Sequence, residues 1–380
     1  MEIKNVLVYT EQHRFAKGSI ELDDGIIRKI DLDGSESGGE AGNTNADDED
    51  MLYAIPGLVD IHFHGCMGAD LCDAEPDTLR ILAEYEAGQG VTTICPATMT
   101  MPVAELHKIM ENIGKYHGST GAHFAGINME GPFISPANKG AQAAENIIPC
   151  DAGLFQELNE KSGGRIRLVD IAPEEPGALE FIEAVRDKTV VSLAHTAADY
   201  DTAMAAFQAG ANHVTHLFNA MLPFHHRNPG VQGAAADAGA YVELICDGVH
   251  IHPAMVRAVF KLFGSDRVCL ISDSMRAAGL EDGEYTLGGQ AVTVRGKRAV
   301  LADGGLAGSV TNLMNCLRTA VQEMQIPLEQ AVQSATETPA RSIGIFDSCG
   351  SLAPGKQADI VLLDRELNVR QVLVGGKAVK

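Results

Sequence analysis

The sequence predicts an α/β fold: a (β/α)8 barrel of the TIM type, with a small β-sandwich domain formed by both chain ends. Three observations carry this. Eight short runs rich in Val, Ile and Leu recur between residues 57 and 274. Near-continuous apolar runs suit strands buried on both faces, as in parallel sheets. Helical patterns lie between these runs, and such alternation is the signature of a parallel barrel. Both termini hold only short strand-like pieces with Gly and Asp turns.

In chain order, residues 1–53 form the first half of the small β domain, through "IKNVLVYT" and "GSIELDDGIIRKIDL". The acidic stretch "DGSESGGEAGNTNADDED", residues 33–50, has no aliphatic run and no periodicity, so a solvated, disordered insert is expected. The barrel is expected over 54–345. Its strands are read at 57–65, 91–98, 123–131, 166–174, 189–196, 212–220, 241–250 and 267–274. One intervening helix presents Leu79, Leu82 and Tyr85 on a single face and stops at glycines. A later one presents Met255, Val259 and Leu262, and the last presents Val310, Leu313, Leu317 and Val321. Residues 346–380 supply the second half of the β domain. The next-best architecture, a doubly wound open sheet, lacks its G-x-G-x-x-G fingerprint here.

Composition narrows the function classes. The formal charge of −22 over 380 residues opposes binding to nucleic acid. No apolar run of about 18 residues would span a membrane, and the N-terminus does not read as a targeting peptide. A cytoplasmic location is expected. The eight cysteines include no C-x-x-C pair, which leaves a thiolate metal site or redox motif unsupported.

The polar residues inside the apolar runs carry the chemistry. His62 and His64 end the first run, Glu130 the third, His195 the fifth and Asp273 the eighth. His216 lies in the sixth, and Asp247 and His250 end or follow the seventh. In such a barrel the C-terminal strand ends converge on one mouth. Alternation along a strand puts His62 and His64 on one face. His, Glu and Asp together suit Zn²⁺, with Fe or another first-row divalent ion also fitting. An isolated His-x-His would say little. The competing reading, core histidines without function, requires several buried imidazoles, each costly unless hydrogen-bonded.

Longer motifs point further. "PGLVDIHFHG", "MEGPFISPANKGAQ", "APEEPG", "LAHTAADYDTAMAAFQAGANHVTHLFNAM", "HHRNPG", "CDGVHIHP", "ISDSMRAAG", "LAGS" and "GKQADIVLLD" run from about residue 55 to 365. Together they resemble the N-acetylglucosamine-6-phosphate deacetylases of the amidohydrolase superfamily. The resemblance implies that Glu130, His195 and His216 are the principal metal ligands. His62 and His64 match ligands of a second ion, leaving one or two ions per subunit. Asp273 matches the catalytic acid/base. Ala141, Gln142, Asn219, Ala220, Arg227, His250, Leu306, Ala307 and Gly308 match the substrate-binding positions. Gln142 stands where some relatives carry a histidine. In relatives the loop arginine matching Arg227 enters the neighbouring active site, which implies a homodimer. His225 and His226 receive no role. The implied reaction hydrolyses N-acetyl-D-glucosamine 6-phosphate to the amine and acetate, in amino-sugar catabolism and cell-wall sugar recycling. The galactosamine epimer, another amide substrate of the superfamily and a non-catalytic scaffold are the alternatives. The scaffold is disfavoured because every matched ligand is present.

Overall fold

The computed structural model describes residues 1–33, 51–118 and 120–380. From residue 34 on, the acidic insert expected at 33–50 lies outside them.

The eight barrel strands are Leu58–Asp60, Val91–Ile94, a third in two pieces (His123–Phe124 and Ile127–Glu130), Ile166–Ile171, Val190–Leu193, His213–Val214, Tyr241–Ile245 and Val268–Ile271. All neighbouring pairs are parallel. The third strand breaks at Gly126, whose φ of +143° lies outside the range of an L side chain. The ring closes between the eighth strand and the first, where Asp273 N donates to His62 O at 2.9 Å and His64 N to Ser274 O at 2.7 Å. The strands are shorter than their apolar runs. The residues that follow each C-terminal strand end build the mouth.

Helices cover the outside. Capping fixes several of their starts: Asp151 accepts from Gly153 N and Leu154 N, Asp199 from Thr202 N and Asn312 from Asn315 N. The helix Pro253–Phe263 buries Val256, Val259 and Phe260. Met255 and Leu262, expected on the inner face, are 38% and 50% exposed. The apolar pattern there is broad: Val259 lies on the inner face as read, with Val256 and Phe260 in place of Met255 and Leu262.

The chain ends form one continuous hydrogen-bonded sheet of seven strands. Its order is Lys377–Ala378, Val369–Val374, Ile360–Leu363, Leu52–Pro56, Glu2–Tyr9, Phe15–Asp23, Ile26–Leu32. The join is Leu52–Pro56, parallel to the first strand on one side and antiparallel to Ile360–Leu363 on the other. That central strand unites the two chain ends, and the sheet folds back on itself: Ile27 N donates to Lys356 O and Ala358 N to Gly25 O, enclosing one core with residues from both ends. Alternation then serves two cores: Ile360 and Leu362 enter the sheet's own cluster, while Val361 and Leu363 pack with the barrel.

A second unforeseen element lies between the eighth strand and the last barrel helix. Gly283–Leu287, Gln290–Arg295 and Arg298–Leu301 form an antiparallel meander. Its Leu287, Val292, Val294 and Leu301 pack against Met99, Met275 and Ala307 beside the mouth.

Candidate metal centre

Glu130 ends the third barrel strand, and the other five ligand candidates sit two to four residues past theirs. His62 and His64 follow the strand ending at Asp60, so they converge without belonging to it. Their rings stand nearly perpendicular, at 83° with centroids 5.5 Å apart. The expected alternation therefore continues past the end of the strand: His62 and His64 reach one group, while Phe63 between them packs into the core on the other side. His216 is likewise two residues beyond its strand. His195, His216 and Asp273 all have positive φ, at 45°, 29° and 47°. Three strained non-glycine residues at one mouth are held there by the closed barrel around them.

Two groups of potential ligands result: Glu130 with His195 and His216, and Asp273 with His62 and His64. All six are buried. Glu130 Oε1 lies 3.0 Å from Nε2 of both His195 and His216, and those two nitrogens are 3.1 Å apart. His64 Nε2 is 3.3 Å from Asp273 Oδ1 and 3.5 Å from Glu130 Oε2. His62 Nε2 is 3.6 Å from Glu130 Oε1 and 3.9 Å from Asp273 Oδ1, and it has no hydrogen-bond partner. Glu130 thus stands between the groups.

The donor chemistry fits a cation. His62 Nδ1 faces Glu243 Oε2 at 2.9 Å, His64 Nδ1 faces Ala97 O at 3.3 Å and His195 Nδ1 faces Asn138 O at 3.2 Å. These acceptors place the proton on Nδ1 and leave the Nε2 lone pair pointing inward. Lone pairs this close repel one another unless a positive ion sits among them. Ligands at about 2.0–2.1 Å around one tetrahedral ion lie about 3.3 Å apart, close to the spacing seen.

Electrostatics agree. Burial pushes Glu130 up, but the adjacent His195, His216 and His62 hold it well below the usual carboxylate range. Burial opposes ionisation of Asp273 too, and the contact with His64 together with His62 and His216 brings it below its ordinary value. Beneath the centre, Asp170 is pushed up by burial. Burial likewise lifts Asp60 to about 7, against hydrogen bonds from Ser272 and His62.

Above the ligands lies a cavity of about 350 Å³. Ala141, Gln142, Asn219, Ala220, His250, Leu306 and Gly308 line it, as the sequence expects. Ala307 does not; it is fully buried among the meander's apolar residues, because Leu306 and Gly308 on either side of it face the cavity. Arg227 is exposed, contacts His226 Nε2 at 2.8 Å and is not part of this chain's cavity wall. Gln142 differs from expectation in another way. Its Nε2 donates to Glu130 Oε2 at 2.5 Å and its Oε1 accepts from Thr100 N at 2.7 Å, so the amide is committed to the centre. Asp247 accepts from the backbone N–H groups of Val249 and His250 and from His250 Nδ1 at 2.7 Å, fixing that ring.

Sequence reading missed Met99, Leu287, Leu301 and Asp303 in the wall, and Glu243 below it. The meander had a signal, since "TLGGQAVTVRGKRAV" alternates apolar and polar residues around glycine turns. Glu243 had one as well: an acid within the apolar run "YVELI". A larger hollow of about 920 Å³ lies by Tyr116, His123 and Arg165, away from all six ligand candidates.

A parallel barrel whose C-terminal mouth gathers buried His, Glu and Asp side chains defines a metal-dependent hydrolase. The amidohydrolase family profile matches residues 53–379. N-acetylglucosamine-6-phosphate deacetylase from Bacillus subtilis (strain 168) is 38% identical over 97% of this chain and 94% of its own length. N-acetylgalactosamine-6-phosphate deacetylase from Escherichia coli O157:H7 is 36% identical over 97% and 96%. Among solved structures, a mutant N-acetyl-D-glucosamine-6-phosphate deacetylase from Mycobacterium smegmatis, in complex with N-acetyl-D-glucosamine-6-phosphate, superposes with a TM-score of 0.89. It is 31% identical and covers 98% of this chain and 97% of its own. The chain therefore belongs to the amidohydrolase family, on its N-acetylglucosamine-6-phosphate deacetylase branch.

Proposed function

We propose that this chain removes acetate from N-acetyl-D-glucosamine 6-phosphate. One observation carries the reading: Glu130 stands between two histidine groups, with Asp273 within reach of the same centre. A divalent ion held there, with zinc the first choice, acidifies a water and polarises the amide carbonyl. Glu130, His195 and His216 would hold one ion, and His62 and His64, with Asp273 beside them, would hold a second.

Asp273 accepts the proton of the attacking water and returns it to the departing amine, which is a poor leaving group until protonated. Gln142 fixes Glu130, and through it the spacing of both groups. His250, oriented by Asp247, receives the phosphate from within the subunit. Arg227, exposed in its own subunit, completes the phosphate site of a neighbour in a homodimer. The enzyme works in the cytoplasm. The catalytic barrel, expected from residue 54, starts after the sheet strand Leu52–Pro56 and runs to about 345, and the chain ends on either side of it form the small β domain.

The galactosamine epimer is the second reading, favoured by the E. coli relative at 36% identity. Acetate release from both epimeric sugar phosphates, with metal content measured on the same sample, tests the proposal. Turnover of the glucosamine compound that is lost on chelation is expected. An active preparation without metal would overturn the mechanism, and turnover of the galactosamine compound alone would transfer it to the epimer.

A further inference from the structure

Glu243 lies in the seventh barrel strand and is fully buried. Oε2 of its carboxylate is 2.9 Å from His62 Nδ1 and accepts from the backbone N–H of His216 at 3.1 Å. Oε1 lies 3.3 Å from His213 Nε2. One side chain below the centre therefore touches His62, from one ligand group, and the backbone of His216, from the other. Neither contact faces the cavity, and Glu243 is absent from its wall.

We propose that Glu243 is the positioning residue of the metal centre, acting through His62. An ionised carboxylate oxygen only accepts, so His62 Nδ1 is the donor and Nε2 carries the lone pair. The opposite tautomer would aim an N–H at the ion and make His62 useless as a ligand. The same oxygen draws in His216 N, at a residue whose φ of 29° is strained and needs an external tie. Solvent cannot take over either role, because His62 and Glu243 are both 0% exposed. The inference rests on the proposed metal-dependent reaction, but its readout is metal retention rather than turnover.

The experiment compares the holoenzyme with Glu243→Leu, Glu243→Gln, His62→Ala and the Glu243→Leu/His62→Ala double variant. Metal per subunit and the rate of metal loss to a chelator are measured for each. The wild type should hold two ions. Glu243→Leu should hold one fewer, or lose it about 10–100-fold faster, as for other carboxylate partners of histidine ligands. Glu243→Gln, which keeps an acceptor without its charge, should fall between, and the double variant should resemble His62→Ala. If Glu243→Leu does not fold, the Gln variant decides: several-fold faster metal loss supports the role. Metal content and release rates equal to wild type in the folded Glu243 variants would overturn it. So would full metal retention in His62→Ala. Inactivity on amino-sugar phosphates with these metal results intact would instead remove the proposed substrate and leave the positioning role standing.

Discussion

Asp273 Oδ1 lies 3.3 Å from His64 Nε2, although one residue follows the last barrel strand and the other the first. Closure of the barrel creates this pair: the seam bonds Asp273 N to His62 O and His64 N to Ser274 O fix both backbones. A carboxylate so placed is already ionised and adjacent to the centre, as a general base requires. Asp273→Asn should lower kcat by about 10²–10⁴-fold, the usual contribution of a positioned acid/base. Metal analysis of the same protein should show the Glu130, His195 and His216 ion retained. Wild-type kcat in the variant would remove Asp273 from proton transfer.

Chelation should destabilise the protein as well as silence it. The Nε2 atoms of His195 and His216 stand 3.1 Å apart, a spacing that favours a cation between them. A ligand at about 100 times its Kd contributes about 2.7 kcal/mol to the native state. Thermal melting before and after exhaustive chelation should show a lower Tm for the stripped protein, with recovery on adding a divalent metal. An unchanged Tm would argue against tight binding by this group.

Phe63 illustrates how the site is tied to the core. It lies between His62 and His64, is 0% exposed and belongs to the main barrel cluster. Alternation sends the two imidazoles to the centre while Phe63 anchors in the core behind them. Phe63→Ala should cost about 3–5 kcal/mol in urea unfolding. It should also loosen metal retention, because the anchor of both ligands is gone. A change under about 1 kcal/mol would show that the segment repacks.

A pH effect is expected where the barrel meets the small sheet. His123 Nε2 pairs with Asp359 Oδ1 at 3.1 Å, and this hydrogen bond, against burial, raises the histidine's pKa above its ordinary value. A group with a raised folded pKa stabilises the fold fully below its unfolded value, about 6.5, and loses that contribution as pH rises through the folded value. The stability gap between wild type and His123→Leu should therefore be widest under acidic conditions and narrow toward alkaline pH. Denaturant unfolding across that range checks the sign; a gap that widens with pH would contradict it.

The barrel was legible because buried parallel strands are written as apolar runs, and each of the eight runs contains a strand. The six ligand candidates were legible because His, Glu and Asp at the ends of such runs have little other reason to be there. Strand ends were not legible: "DIHFHG" reads as alternation, yet the strand stops at Asp60. Closure with the eighth strand, more than 200 residues away in sequence, decides that stop. The continuous terminal sheet was hidden for a related reason. Its central strand, Leu52–Pro56, adjoins the barrel's first strand in sequence, and only its pairing with Glu2–Tyr9 and Ile360–Leu363 assigns it. Glu243 was visible as an acid in a strand, but its contact with His62 depends on the radius of the closed ring.

Arg227 gives the sharpest test of assembly. It is exposed and outside its own subunit's cavity wall, yet a phosphate site in so acidic a chain needs a cation, and among the described residues the wall holds no Lys or Arg. If a neighbour's Arg227 completes that site, Arg227→Ala should lower kcat/KM for the phosphorylated sugar by about 10–150-fold. That is the loss of a charge-assisted hydrogen bond of about 1.5–3 kcal/mol. The unphosphorylated sugar should be affected far less. Mixing Arg227→Ala with Asp273→Asn subunits adds a geometric check. A hybrid dimer then contains one site with both its own Asp273 and the partner's intact Arg227, and activity should return to about half of wild type per hybrid. If each Arg227 served its own subunit, the Asp273→Asn subunit would hold the only intact arginine and no site would recover. Equal losses on both sugars, or no recovery on mixing, would reject the shared phosphate site.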